Sequence, residues 1–239
     1  MTDLIYQTDS YLKEFPAVVN AVDETAHAVI LDRSAFYPGG GGQPCDTGKL
    51  TWEKGEIAVT KVKKTPEGVL HFLPEASPLL PVGAPVTGIL DWDHRYQLMR
   101  THTAMHILCG VVFRDYGAQV TGGDMEPLQG RMDFEFESLS KELVSVIEEA
   151  VNREIIAAHP VVVNILPREA AFQIPDLIRT KINLLPPGIE FVRVVELQGL
   201  DLQADGGTHV ANTREVGRIR VVDYKSKGKI NKRIYLEIN

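Results

Sequence analysis

The chain has 239 residues, 44% hydrophobic and 24% charged, an ordinary globular composition with length for one large domain or two modest ones. Its formal net charge of -7 excludes indiscriminate coating of nucleic acid but leaves room for a local basic patch. With only Cys45 and Cys109, no disulfide framework is expected and a reducing compartment is.

The first residues, Met1 to Gln7, lack the basic start and apolar core of a signal peptide. No apolar run reaches the ~18–20 residues of a membrane span, so the expectation is a soluble, cytoplasmic protein with no membrane partner. Up to about Leu90 the pattern is short and strand-like, at residues 17–19, 28–31, 49–52, 57–62 and 69–73. Turns rich in Gly, Pro and acidic residues separate these runs at even intervals, as in a small β-barrel or sandwich. Residues 74–85 form a proline-rich connection and 86–91 the closing strand, placing a domain boundary near Asp91. The expected division is an N-terminal β-barrel over 1–90 and a second domain over 91–239.

The period then changes. From Tyr96 to Tyr116 apolar residues recur at Leu98, Met105, Cys109, Val112 and Tyr116, a helical stripe that Gly117 is placed to end. Residues 131–136 alternate like a strand, and Ser140 opens a second helix ended by His159-Pro160. Leu143, Val146, Ile147, Ala150 and Val151 are the expected inner face of that helix. Further strands are expected at 161–166, 188–197, 217–224 and 230–238, the last two a hairpin around the basic loop 225–229. The fold class is therefore α+β: a small barrel, then two main helices beside a mostly antiparallel sheet.

His102 and His106 lie four apart on the expected first helix, so both imidazoles share one face and can converge on one ion. A hydrogen-bonded core pair is the plain alternative. No Glu follows His102, so the metalloprotease pattern with its built-in base is absent. In Asp205-Gly206-Gly207-Thr208-His209 two more ligand types lie four apart around a turn that glycine permits. Three histidines and one carboxylate in two pairs make a plausible tetrahedral set, and the imidazoles favour Zn2+.

Three blocks carry a family resemblance. Residues 90–108, from Leu90-Asp91-Trp92 through His102-Thr103-Ala104-Met105-His106, are similar to the alanyl-tRNA synthetase editing domain and its free-standing relatives, the AlaX-type editing proteins. So are Gly206-Gly207-Thr208-His209 with the residues up to Gly217, and the glycine-rich block from Leu31 through Gly39-Gly40-Gly41-Gly42-Gln43 to Gly48. The blocks stand in the family's order and span nearly the whole chain. The match resembles the medium-length, two-domain class.

That resemblance implies hydrolysis of tRNA(Ala) mischarged with serine, and also with glycine, without ATP. The catalytic centre expected is the metal site with bound water and no separate base; either the metal activates that water or it anchors the aminoacyl group or terminal ribose while neighbouring groups position the water. The family carries a cysteine where this chain has Asp205, so the ligand set implied here is His102, His106, Asp205 and His209. A three-histidine site with water in the fourth place is the alternative. By resemblance, Thr121, with Gln119 and Gly122 beside it, lines the substrate pocket, together with Gly207 and Thr208. Thr121 is the first candidate to meet the serine hydroxyl, although a hydroxyl at a strand-edge turn also satisfies local backbone. By resemblance Gly40, Gly41, Gly42 and Gln43 lie against the editing site. No Lys-Ser/Thr follows those glycines, so they are not a P-loop.

Arg218, Arg220, Lys225, Lys227, Lys229, Lys232 and Arg233 cluster near the end with few opposing acids, an expected tRNA-facing surface on an acidic protein. Arg131 and Asp133 are expected as a structural pair. Two other readings remain at this point: a tRNA-binding protein without turnover, and a metal hydrolase acting on another aminoacyl-tRNA. Oligomeric state is open.

Overall fold

The computed structural model describes residues 2–180, 185 and 188–239. Its contacts divide the chain into two units, Met1–Gln97 and Leu98–Asn239. In the first, β1 (Asp3–Leu4) pairs in parallel with β4 (Arg33–Ser34). The remaining strands are β2 (Glu14–Asp23), β3 (Ala28–Leu31), β5 (Gly48–Trp52), β6 (Gly55–Val59), β7 (Lys61–Thr65), β8 (Gly68–Phe72) and β9 (Pro85–Leu90). They form one antiparallel sheet in the order β6-β5-β9-β2-β3-β8-β7.

β2 organises this sheet. Its residues 14–18 pair with β9, and from Val19 onward it pairs with β3, with a register shift between Val19 and Ala21. Alternate residues Phe15, Ala17 and Val19 point into a core that also holds Val29, Leu31, Phe36, Leu50, Val69 and Leu90, as period-two burial requires.

No pairing joins β6 to β7, so the sheet is open and the expected N-terminal small β-barrel is not formed. The run at 57–62 is not one strand: Thr60 divides it, and its amide bonds across to Phe72 instead, at 3.0 Å. A single linking residue is too short to reverse the chain, because even the tightest hairpin uses a two-residue loop. The two halves therefore become opposite edges of the sheet. Lys61, Lys63 and Lys64 along β7 blunt one of those edges against further pairing.

α1 (Trp92–Tyr116) begins in the first unit and continues into the second. The second unit adds β10 (Val120–Glu126), β11 (Gln129–Glu135), α2 (Lys141–Ala157), β12 (Val161–Pro167), α3 (Arg168–Ala171), β13 (Phe191–Leu197), β14 (Asp201–Ala204), β15 (Ile219–Ser226) and β16 (Asn231–Ile238). Two antiparallel sheets result, β10-β11-β16-β15 and β12-β13-β14.

Residues 101–112 of α1 are buried on every side rather than along a stripe. One side packs on the four-stranded sheet, where Met105 lies so close to Gly123 and Gly130 that a Cβ at either would be 3.1 Å from it. Another meets the β13–β14 turn at Gly110, where a Cβ would come within 3.0 Å of Leu200 and Asp201. Glycine at these contacts lets backbone approach backbone.

α2 is capped by Ser140, whose Oγ accepts from the Leu143 amide at 3.2 Å. It buries Val144, Ile147, Ala150, Val151 and Ile155, whereas Val146 of the expected inner face is 51% exposed. The inner row is phased on Val144 and Ile147, which turns Val146 outward. Asn152 brackets Ile219 with two 3.0 Å bonds, so a helix side chain occupies part of the β15 edge.

Candidate metal centre

Among the described residues, His102, His106, Asp205 and His209 each offer one ligand atom, and those atoms all lie within 4.8 Å of one another. α1 supplies the first two from adjacent turns, their ring centroids 5.1 Å apart. The segment after β14 supplies the others. There Asp205 Oδ2 accepts from the Gly207 amide at 2.8 Å, a local turn that brings the carboxylate back toward His209. His209 Nε2 is 2.9 Å from Asp205 Oδ2, and its ring stacks on His102 at 4.3 Å. His102 Nε2 lies 3.5 Å from Asp205 Oδ1.

The outer nitrogens have their own partners. Nδ1 of His209 meets the Thr103 hydroxyl at 3.2 Å, and Nδ1 of His106 meets Asp201 Oδ2 at 3.0 Å. All three imidazoles therefore turn Nε2 inward. Arg193 donates to the Asp205 carbonyl at 2.9 Å and lies 3.7 Å from its carboxylate.

Burial lowers the pKa of His102 well below 6.5 despite the neighbouring Asp205 charge. Burial likewise takes His209 down to about 4, against the pull of its Asp205 bond. His106 moves the other way: burial would lower it, but the bond and charge of Asp201 raise it. For Asp205, burial would raise the pKa, yet His102 and the His209 bond hold it well below the usual carboxylate range. A charged Asp205 beside neutral His102 and His209 is the protonation state that metal binding requires of those three, whereas His106, with its raised pKa, would release its proton on binding.

The other expected site residues fall as follows. Gly40 and Gln43 exchange two 3.0 Å backbone bonds around Gly41-Gly42, a two-residue hairpin turn within the first unit. Gly41 and Gly42 both have positive φ, 59° and 87°, as such a turn needs. The four-glycine run is thus a formed turn, and the Gln43 side chain is buried beneath it. Thr121 and Gln119 are exposed, and Thr121 sits beside a register shift in β10 with its hydroxyl on Asn231 Oδ1 at 3.1 Å. Gly122 is half-buried next to it, while Gly207 and Thr208 are buried.

Of the basic residues, Arg218, Arg220, Lys225, Lys227 and Lys229 are exposed. Lys232 turns inward and donates to the Gly228 and Lys229 carbonyls at 2.9 Å each, closing the hairpin loop. Arg233 grips Asp133 across β11–β16 with bonds of 2.6 and 2.7 Å. Arg131 comes no nearer than 3.9 Å to Asp133 and bonds instead to Asp124 at 3.2 Å.

Sequence reasoning passed over Asp201, Gln203, Thr103 and Arg193. A signal for the first two was present: Asp201 and Gln203 alternate along one strand, so a single sheet face carries both toward α1, just ahead of Asp205. Much of the block after His209 proves structural. Asn212 and Glu215 form a reciprocal capping box, and Thr213 Oγ1 donates to the Glu154 carbonyl at 3.1 Å, tying the ligand loop to the end of α2.

Residues 6–94 match the family described as tRNA synthetases class II (A), and residues 192–235 match the threonyl and alanyl tRNA synthetase second additional domain. A two-unit α+β chain with a three-histidine, one-carboxylate cluster thus matches tRNA synthetase families in both of its units. Over 242 residues it is 42% identical to the alanyl-tRNA editing protein AlaX-M of Saccharolobus solfataricus, covering 100% of this chain and 99% of the relative. Over 247 residues it is 37% identical to AlaX-M of Methanosarcina acetivorans, again covering 100% and 99%. The alanine–tRNA ligase of Thermococcus kodakarensis is 37% identical over 224 residues, 92% of this chain but 24% of that enzyme. The chain belongs to the AlaX-M family of alanyl-tRNA editing proteins.

Proposed function

We propose that this protein is a zinc-dependent hydrolase that cleaves the aminoacyl ester of tRNA(Ala) mischarged with serine, and also with glycine. The carrying observation is the convergence of buried His102, His106 and His209 with half-buried Asp205, whose ligand atoms lie within 4.8 Å of one another. Relatives that match end to end are named alanyl-tRNA editing proteins. The need for such a reaction is physical. An alanine pocket cannot strongly reject a residue that only adds a hydroxyl or lacks a methyl, so a second site must remove the errors.

The donor set fits zinc: three imidazole nitrogens and one carboxylate oxygen are borderline ligands suited to a tetrahedral centre. His102, His106 and His209 would hold the ion through Nε2 and Asp205 through its carboxylate. When bound, zinc supplies a Lewis acid for the ester carbonyl. Arg193 and the Gly207 amide keep the Asp205 carboxylate oriented, and the Thr103 hydroxyl does the same for the His209 ring. The surrounding helix α1 excludes bulk water from the ligands.

Thr121 is the proposed reader of the serine hydroxyl. Its own proton goes to Asn231, which leaves oxygen lone pairs to accept from a serine side chain. Gln119 and Gly122 border that position. The exposed cations of the β15–β16 hairpin are the proposed phosphate contacts, and the cytoplasm, where tRNA is charged, is the proposed compartment.

The test is single-turnover deacylation of seryl-, glycyl- and alanyl-tRNA(Ala), with and without prior chelation. Rapid loss of the seryl ester, sparing alanyl and abolished by chelation, is expected. Tight tRNA binding without turnover would refute the enzyme and leave a carrier.

A further inference from the structure

We propose that Asp201 is a positioning residue of the metal centre: it accepts a hydrogen bond from the protonated Nδ1 of His106 and thereby leaves Nε2 of that ring unprotonated and aimed inward as a ligand. This rests on the zinc-site reading above. It assigns a part to a residue that contributes no ligand atom to the cluster.

The contact is 3.0 Å between His106 Nδ1 and Asp201 Oδ2, and the Asp201 side chain is fully buried. A carboxylate held away from water is costly unless its charge and lone pairs are met. Here the two oxygens are met differently. Oδ2 receives His106 and the Gln203 amide at 2.6 Å. Oδ1 has no hydrogen-bond partner among the described residues, but the Arg179 guanidinium faces it at 3.6 Å. Arg179 in turn lies over the Phe113 ring of α1 at 3.7 Å. The charge is thus anchored from behind, and its one imidazole contact is His106.

The backbone is shaped for this approach. Gly110, one turn beyond His106 on α1, has no side chain where a Cβ would stand 3.0 Å from the Asp201 Cβ. β14 can therefore lie against the helix with Asp201 level with the ligand. Asp205 follows directly after the end of β14, so one short segment delivers both a ligand and the group that orients another ligand. The hydrogen bond made by one ring nitrogen decides which nitrogen keeps its proton, and carboxylate–histidine–metal arrangements use this to fix tautomer and ring angle.

The experiment uses the full chain, as wild type and as Asp201→Asn. Asparagine keeps the shape and removes the charge, and circular dichroism checks that the variant folds. Long-range proton–nitrogen correlation spectra, taken metal-free at a pH above the His106 titration and again with zinc, identify the protonated nitrogen of His106. Competition with a chromophoric chelator measures zinc affinity.

Wild type is expected to carry the proton on Nδ1 and to bind zinc through Nε2. Asp201→Asn is expected to lose that tautomer preference and to bind zinc about 10–100-fold more weakly. A proton on Nε2 in the wild type would overturn the proposal, and this result does not depend on whether the variant folds. So would zinc binding and a His106 tautomer both unchanged in a folded Asp201→Asn. If the wild type takes up no zinc at all, the metal-centre reading fails and this inference with it. Zinc uptake with an indifferent Asp201 sinks only the inference.

Discussion

Arg95 and Asp46 are joined by a fully buried ion pair, with Nε donating to the two carboxylate oxygens at 2.9 and 3.0 Å. The same guanidinium donates to the Ala35 carbonyl at 2.5 Å and to the Ser10 carbonyl at 3.0 Å. The start of α1 thereby clamps both ends of the segment that carries the four glycines. Replacing Asp46 with Ala would strand the cation away from water. We predict a loss of about 3–5 kcal/mol, with a smaller loss when Arg95→Met accompanies it. Trp52 and Trp92 both lie in this unit, so urea unfolding followed by their fluorescence reads the effect. A single-variant loss below about 1 kcal/mol would remove the clamp argument.

His71 gives the first unit a pH dependence. Its Nε2 faces Ser34 Oγ at 2.8 Å and its Nδ1 the Val29 carbonyl at 3.3 Å, and burial lowers its pKa to about 4. The folded state keeps the ring neutral, whereas the unfolded chain protonates it near 6.5. Between those values the unfolded state binds more protons, so stability is complete above about 6.5 and falls as pH drops toward 4. The contribution lost by pH 5 is on the order of 2 kcal/mol. Thermal melts followed by tryptophan fluorescence should show a flatter pH profile in His71→Gln, and identical slopes would contradict the assignment.

Asp205 lies within ligand distance of His102 and His209. Asp205→Ala should weaken zinc binding by more than the roughly 10–100-fold typical of removing a group that merely supports a ligand. Equilibrium dialysis decides this. Unchanged affinity would leave a three-histidine centre.

The glycine turn yields a prediction that separates its members. Gly40 has φ of 132°, a conformation essentially restricted to glycine, whereas Gly41 at 59° is in the left-handed region that asparagine tolerates. Gly40→Ala should cost about 1–3 kcal/mol although its Cβ would have room, and Gly41→Asn should be close to neutral. Equal melting shifts for the two variants would count against the turn geometry.

On the β15–β16 hairpin, Lys227 and Lys229 are exposed while Lys232 is folded into the loop. Lys227→Gln and Lys229→Gln should each reduce the salt slope of tRNA binding by about 1. Lys232→Met should instead lower stability through its lost carbonyl bonds. Filter-binding titrations across salt concentrations separate the two behaviours. An unaltered slope in the double variant would move the tRNA surface elsewhere.

Local pattern makes a good part of this molecule legible in its sequence. The helix bearing His102 and His106, the cap at Ser140, most strands and the Gly-Gly turn between Asp205 and His209 are set by neighbours within a few residues. Periodicity and capping chemistry operate over that range. Tertiary structure alone decided what joins residues far apart in the chain. Asp201 meets His106 across 95 positions, and Arg95 meets Asp46 across 49. Whether the first sheet closes was equally non-local. Alternation reports which face of a strand is buried but not which strands become edges, and here Thr60 sends its two flanking strands to opposite edges. The candidate ligands were visible because each pair is local. The buried carboxylate behind them was not, because burial and partner choice exist only once the chain has folded.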